Sequence, residues 1–390
     1  MATVKREVLS QRVRKVKPSG IRKFFDIINT MPNVISLGVG EPDFVTPERI
    51  CNAGIESIRQ GRTRYTSNYG MLELREEIAA LLERRYGTRY DPATQILATV
   101  GVSEGVDLTM RTLIDEGDEV IAPDPGYVAY EADIVFSGGV PVPVPCYAKN
   151  NFAIQAAEVA AAITPRTKMI LLGNPNNPTG AVIPRTELAA IAKLAIEHDL
   201  LVVVDEVYSR LIYTDEHTCM AALPGMQDRT ILLDGFSKAY AMTGWRIGYV
   251  AAPAFILEAM LKVHQYAIMC AGTAPQEAAI AALRYGEDDV RRMHDDYARR
   301  RRMFVDGLNR IGLTCCEPLG AFYAFPYVGH TGMTDEEFAE RLLLEEEVAV
   351  VPGSSFGAAG AGYVRAAYCT AYEKLEEALV RMERFVKKHT

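Results

Sequence analysis

Residues Leu200 to Val204 read LLVVV, apolar at every position, and short apolar runs of this kind recur from about residue 95 to 252. A strand wet on one face alternates apolar and polar side chains. An unbroken run belongs to a strand covered on both faces. QILATVGV, EVIAP, KMILLGN, TILLDGF and RIGYVAAP are further candidate strands, and SEGVDLTMRTLID and RTELAAIAKLAIEHD between them have helical spacing. Strands alternating with helices specify an α/β fold with a mostly parallel central sheet sandwiched by helices. After about residue 285 the pattern changes to a charged helix, DDVRRMHDDYARRRRMFVDGLNR, then short strands and a closing amphipathic helix, EKLEEALVRMERFVKK. That change marks a second, smaller unit of α+β character. The RRRR at 299–302 follows acidic residues on the same helix and reads as a solvated face.

Composition narrows the functions. A net charge of -8 argues against a broad nucleic-acid surface, which needs basic residues to neutralise phosphates. Without a stretch of about eighteen apolar residues the chain is not expected to span a bilayer. The basic opening VKREVLSQRVRKVKPSG lacks the apolar run of a secretory signal and reads as a solvated arm or first helix, so the expected compartment is the cytoplasm. Seven scattered cysteines without a C-x-x-C pair suggest reduced thiols, and the six histidines show no metal-ligand spacing, so no metal is expected.

Polar residues at the strand ends carry the chemistry. Ligands of open α/β sheets bind outside the carboxyl ends of strands. Three such ends here deliver unusual groups: NPNNPTG with Asn174 and Asn177, Asp205 and Tyr208 after LLVVV, and Ser237 and Lys238 after TILLDGF. Singly, these are turn residues, a helix cap and an ordinary lysine. Together they suit one cofactor. A lysine forms a Schiff base with an aldehyde, and pyridoxal phosphate then needs an anion at its ring nitrogen and donors near its phenolic oxygen. Lys238 would supply the amine, Asp205 the anion, and Tyr208 and Asn177 the donors. The turn VGVSEGVDL offers the backbone N–H groups of Val102, Ser103 and Glu104 at a helix start, and Ser237 and Arg246 would complete a phosphate cup.

These segments, with SLGVGEPDF (36–44), YTSNYGMLELREEIA (65–79), NPNNPTGA (174–181), DEVY (205–208), GFSKAYAMTGWRIGY (235–249) and GYVRAAY (362–368), resemble the class I aminotransferases of the fold-type I pyridoxal phosphate enzymes. The resemblance covers nearly the whole chain. It implies a large cofactor-binding domain over 49–285 and a small domain from 1–48 and 286–390 with an N-terminal arm. It further implies that Lys238 is the imine lysine, that Tyr127 stacks on the cofactor ring, and that Arg365, with Gly40 nearby, binds the substrate α-carboxylate. Tyr65 corresponds to a tyrosine that reaches the neighbouring subunit's phosphate, which implies a homodimer with shared active sites.

The implied activity is ping-pong transfer of an amino group from an L-amino acid to a 2-oxo acid such as 2-oxoglutarate, with Lys238 moving the proton at Cα. In bacterial relatives specific for aspartate the resemblance aligns a lysine with Glu104, so the usual partner for a second carboxylate is missing here. An aromatic or broad donor range is therefore favoured, with aspartate and acylated diaminopimelate as alternatives. The same lysine chemistry also supports C–S lyases, and a non-catalytic regulator on this fold is the remaining alternative.

Overall fold

The computed structural model describes residues 8–16, 31, 33–214 and 217–390. Residues 1–7 and 17–30 of the expected N-terminal arm lie outside the described residues. In chain order the strands are β1 Ile35–Ser36, β2 Ile96–Thr99, β3 Glu119–Asp124, β4 Val140–Pro145, β5 Thr167–Gly173, β6 Leu201–Asp205, β7 Thr230–Gly235, β8 Gly248–Ala251, β9 Tyr323–Ala324, β10 Val348–Ala349, β11 Val351–Pro352 and β12 Val364–Ala367.

Strands β2 to β8 form one sheet in the order β2-β8-β7-β6-β5-β3-β4. The five strands from β7 to β4 run parallel, and β8 is antiparallel to both β7 and β2. Both faces are covered, which explains the unbroken apolar runs. On one face Ile170, Leu172, Val202 and Val204 pack with Leu188, Ile191 and Ala195 of the helix Arg185–Glu197. On the other, Met169, Leu171, Val203 and Ile231 pack with Val106 and Met110 of the helix Gly101–Leu113 and with Leu257 and Met260 of Ala254–Ala267. Adjacent residues of one strand thus serve opposite cores.

The strand that apolar patterning does not pick out is β4, VPVPVP. It lies at the sheet edge, where proline is tolerated because its missing N–H faces away from the ladder. Val140 N–H donates to the Asp118 carbonyl and Cys146 N–H to that of Asp124, while the three prolines occupy the alternate positions.

A further core gathers both ends of the chain. Ile35 and Leu37 pack with Phe304 and Leu308 of the helix Glu287–Arg310, with Phe385 of Tyr372–His389, and with Val348 and Ala366. Here β1 pairs in parallel with β10, and β11-β12-β9 form a small antiparallel sheet. Tyr208 and Leu211, just past β6, join this core, so the carboxyl end of the central sheet faces it directly. One sequence expectation needs correction: the RRRR segment is not a uniformly solvated face. Arg300 and Arg301 are buried, Arg300 pairing with Asp43 and Asp296 and Arg301 with Glu317, because their positions on the helix face the core.

Candidate active site

A cavity of about 340 Å³ opens at the carboxyl ends of β5, β6 and β7. Asn177, Asp205, Tyr208, Ser237, Lys238 and Arg246 line it, together with Gly40, Val102, Ser103, Tyr127 and Arg365. Asn174 sits at the rim of the sheet instead, fully buried, its backbone N–H on the Asp205 carbonyl and its side-chain oxygen accepting from Ile183 N–H. It braces the turn that presents Asn177.

Lys238 Nζ donates to the Gly40 carbonyl at 2.7 Å. Burial pulls this amine down to about 8, with help from the charges of Arg365 and Arg246 and against Cys369 and Glu41. A neutral amine is a nucleophile, so this environment favours imine chemistry near neutral pH. Asp205 ends β6. Burial pushes its carboxyl up to about 6, opposed by the Val207 N–H, the Tyr130 hydroxyl and the Lys238 charge. Tyr208 hydrogen-bonds the Tyr323 hydroxyl at 2.7 Å.

The opposite end of the cavity is the start of the helix Gly101–Leu113. Gly101 has φ 73, and a Cβ there would lie 2.6 Å from a guanidinium nitrogen of Arg246, so glycine lets the arginine approach the helix start. Val102, Ser103 and Ser237 surround the same space. Backbone N–H groups, hydroxyls and one guanidinium make an anion site. Glu104 does not line it: its carboxylate turns back to Val100 N–H and to the buried His264. Of this turn, Val102 and Ser103 line the cavity.

Arg365, on β12, is buried rather than solvated, at 3% exposure. It donates to the Asn177 side-chain oxygen at 2.8 Å and to the Gly38 carbonyl at 2.6 Å, and its guanidinium lies 4.6 Å from the Tyr323 ring and 4.8 Å from Phe356. Tyr127 caps the start of the helix Val128–Ser137, edge-on to Tyr130 at 5.5 Å. Tyr65 is 80% exposed and lies outside the cavity lining. The glycine-rich segment 353–362 is held from both sides: Asp124 accepts from Ala359 N–H, and Asp335 accepts from Ser354 and Gly362 N–H.

Two tyrosines of the lining, Tyr130 and Tyr323, escape the sequence reading. Tyr130 follows Tyr127 by three residues, the helical spacing that shares a face, and that spacing is the one signal that could have found it.

An amine kept near neutrality, a buried acid, an aromatic ring and an anion-binding helix start fit pyridoxal phosphate, group by group, and this fold and site define a pyridoxal phosphate-dependent enzyme. The family model for aminotransferase class I and II matches residues 32–382, and the chain belongs to that family. It is 46% identical over 382 residues to the aspartate aminotransferase of Pyrococcus abyssi, covering 97% of this chain and 98% of that protein. It is 44% identical over 382 residues to aromatic-amino-acid aminotransferase 2 of Thermococcus litoralis, again covering 97% and 98%. The crystal structure of an aromatic aminotransferase from Pyrococcus horikoshii superposes with a TM-score of 0.90 at 44% identity, covering 94% of this chain and 99% of that one. The protein is therefore a pyridoxal phosphate-dependent aminotransferase. Among the described residues no helix is long and apolar enough to cross a membrane.

Proposed function

We propose that this aminotransferase takes an aromatic or broad range of L-amino acids as donors and a 2-oxo acid such as 2-oxoglutarate as acceptor, in a ping-pong cycle. One observation carries the reading. The cations lining the cavity among the described residues are Lys238, Arg246 and Arg365. Arg246 faces the helix start that suits the phosphate, Lys238 is the amine, and Arg365 remains for the α-carboxylate. A second carboxylate on the donor finds no further cation in this lining.

Pyridoxal phosphate, when bound, supplies an aldehyde for the amine and a ring that accepts the electron pair left at Cα. The chain's residues do the rest. Arg365 and Asn177 hold the α-carboxylate and thereby fix the direction of the Cα–H bond. Lys238 Nζ takes the proton from Cα and returns it later in the cycle. With the cofactor bound, Asp205 would place a negative charge at the ring nitrogen, Tyr208 and Asn177 would donate toward the ring's oxygen, and Tyr127 would cover the ring face. Val102, Ser103, Ser237 and Arg246 would hold the phosphate, without the expected Glu104, which is not part of the lining. We read the chain as a cytoplasmic homodimer in which the exposed Tyr65 serves the neighbouring site. We also divide it into a large domain, 49–285, and a small one, 1–48 and 286–390, a reading supported by the pairing of β1 with β10.

Specificity constants for phenylalanine, tyrosine, aspartate, acetylated diaminopimelate and cystine, each with 2-oxoglutarate, test the substrate reading. Aromatic donors should lead aspartate by about tenfold or more. A lead for aspartate or acetylated diaminopimelate of that size overturns it, and ammonia and pyruvate from cystine without an acceptor point to a lyase. Sedimentation velocity tests the dimer.

A further inference from the structure

Asp205 is held by two donors. Its Oδ1 accepts from Val207 N–H at 3.1 Å, and its Oδ2 from the Tyr130 hydroxyl at 2.9 Å. The first is a local turn contact. The second comes from a different element, the helix Val128–Ser137, where Tyr130 is 4% exposed and lines the cavity.

The neighbouring strand is shaped for that hydroxyl. Gly173 ends β5 and pairs with Asp205 in the ladder. A Cβ at Gly173 would lie 3.0 Å from the Tyr130 oxygen, closer than nine in ten such contacts, so the absent side chain leaves the phenol its place beside the carboxylate. Tyr127 packs edge-on against the same ring, with centroids 5.5 Å apart.

We propose that Tyr130 is a positioning residue, its hydroxyl donating to Asp205 so that this carboxylate stays ionised and aimed into the cavity, with Gly173 supplying the room. The inference rests on the reading of Asp205 as the partner of the cofactor's ring nitrogen. Burial works against the ionised form, and a donor aimed at one oxygen opposes it directly. The other ionisable groups facing Asp205 are Lys238 after β7, Glu206 beside it, Asp234 on β7, and Tyr127 and Tyr208. All of them persist when only Tyr130 or Gly173 is changed.

The test measures the dissociation constant of pyridoxal phosphate across about pH 5 to 9 for the wild type, Tyr130→Phe, Gly173→Ala, Asp205→Asn and the double variant Tyr130→Phe/Asp205→Asn. Tyr130→Phe should weaken binding by about tenfold near neutral pH and move the acid-side loss of affinity to higher pH. Gly173→Ala should act in the same direction; it displaces the hydroxyl while keeping the ring, and so tests the contact even where Tyr130→Phe fails to fold. In the Asp205→Asn background Tyr130→Phe should cost nothing further. Binding unchanged in Tyr130→Phe while Asp205→Asn is weakened overturns the inference alone, as does an equal loss in both backgrounds. Unchanged binding in Asp205→Asn overturns the reading of Asp205 beneath it.

Discussion

Arg365 donates to the side-chain oxygen of Asn177 across 2.8 Å, joining β12 to the turn after β5. Its other terminal nitrogen is committed to the Gly38 carbonyl, and the Tyr323 and Phe356 rings flank its plane. The fork is therefore oriented before any substrate arrives. Lysine keeps the charge but loses the fork and the flat face. Arg365→Lys should raise KM for the amino acid by roughly 100-fold, from the loss of ~2–3 kcal/mol of charged hydrogen bonding, with a smaller fall in kcat. Steady-state kinetics decide it, and an unchanged KM contradicts the assignment.

Lys238 ties stability to pH. Burial holds its amine at about 8, below the 10.5 of an unperturbed lysine. Between those values the unfolded chain binds more protons than the folded one, so the contribution of this group to stability rises with pH through that window. Lys238→Met should abolish turnover and flatten that rise. Urea midpoints of the cofactor-free proteins at about pH 8 and about pH 10 compare the two slopes, and equal slopes refute the burial effect.

For Asp205 the sign is opposite. Its carboxyl is held up at about 6 against an ordinary 3.8, so between these values the folded chain binds more protons and stability falls as pH rises. At neutral pH the ionised, buried group costs stability. Asp205→Asn should raise the melting temperature of the cofactor-free protein at neutral pH while lowering kcat by at least roughly 100-fold. A variant that melts lower, or one that keeps near-normal turnover, goes against this assignment.

Gly357 sits at φ 133, and a Cβ there would meet Asp124 Oδ1 at 2.0 Å. Gly357→Ala should therefore break the contact between Asp124 and Ala359 N–H and let Phe356 leave the face of Arg365. Expected are a loss of about 1–3 kcal/mol in stability and a higher KM for every amino-acid donor. A donor-selective change would place the loop nearer the substrate side chain than Phe356 allows.

The parts of the site legible in the sequence were those where an apolar strand stops abruptly on a polar residue. Asp205 and Lys238 stand out because the runs before them are covered on both faces, which makes the first polar group conspicuous. Arg365 was visible only by resemblance, since a charge on a four-residue strand reads as solvated until Tyr323 and Phe356 are seen around it. Tyr130 and Tyr323 stayed hidden because a buried phenol in an apolar stretch looks like core until its hydroxyl partner is known. Glu104 shows the reverse: position in a turn indicated proximity, but its side chain follows the partners His264 and Val100 N–H. The antiparallel β8 was equally unreadable, since strand direction depends on how the chain crosses over and not on the composition of the run.

The peptide leaving β1 supplies both the Gly38 carbonyl that meets Arg365 and the Gly40 carbonyl that meets Lys238. Among the described residues its strand, β1, pairs with β10, toward the other end of the chain. During synthesis the first residues must therefore wait for the last before the amine and the guanidinium acquire their carbonyl partners. A chain released early from the ribosome carries the lysine segment intact without the backbone that holds it, so the reactive centre is completed only when translation is nearly done.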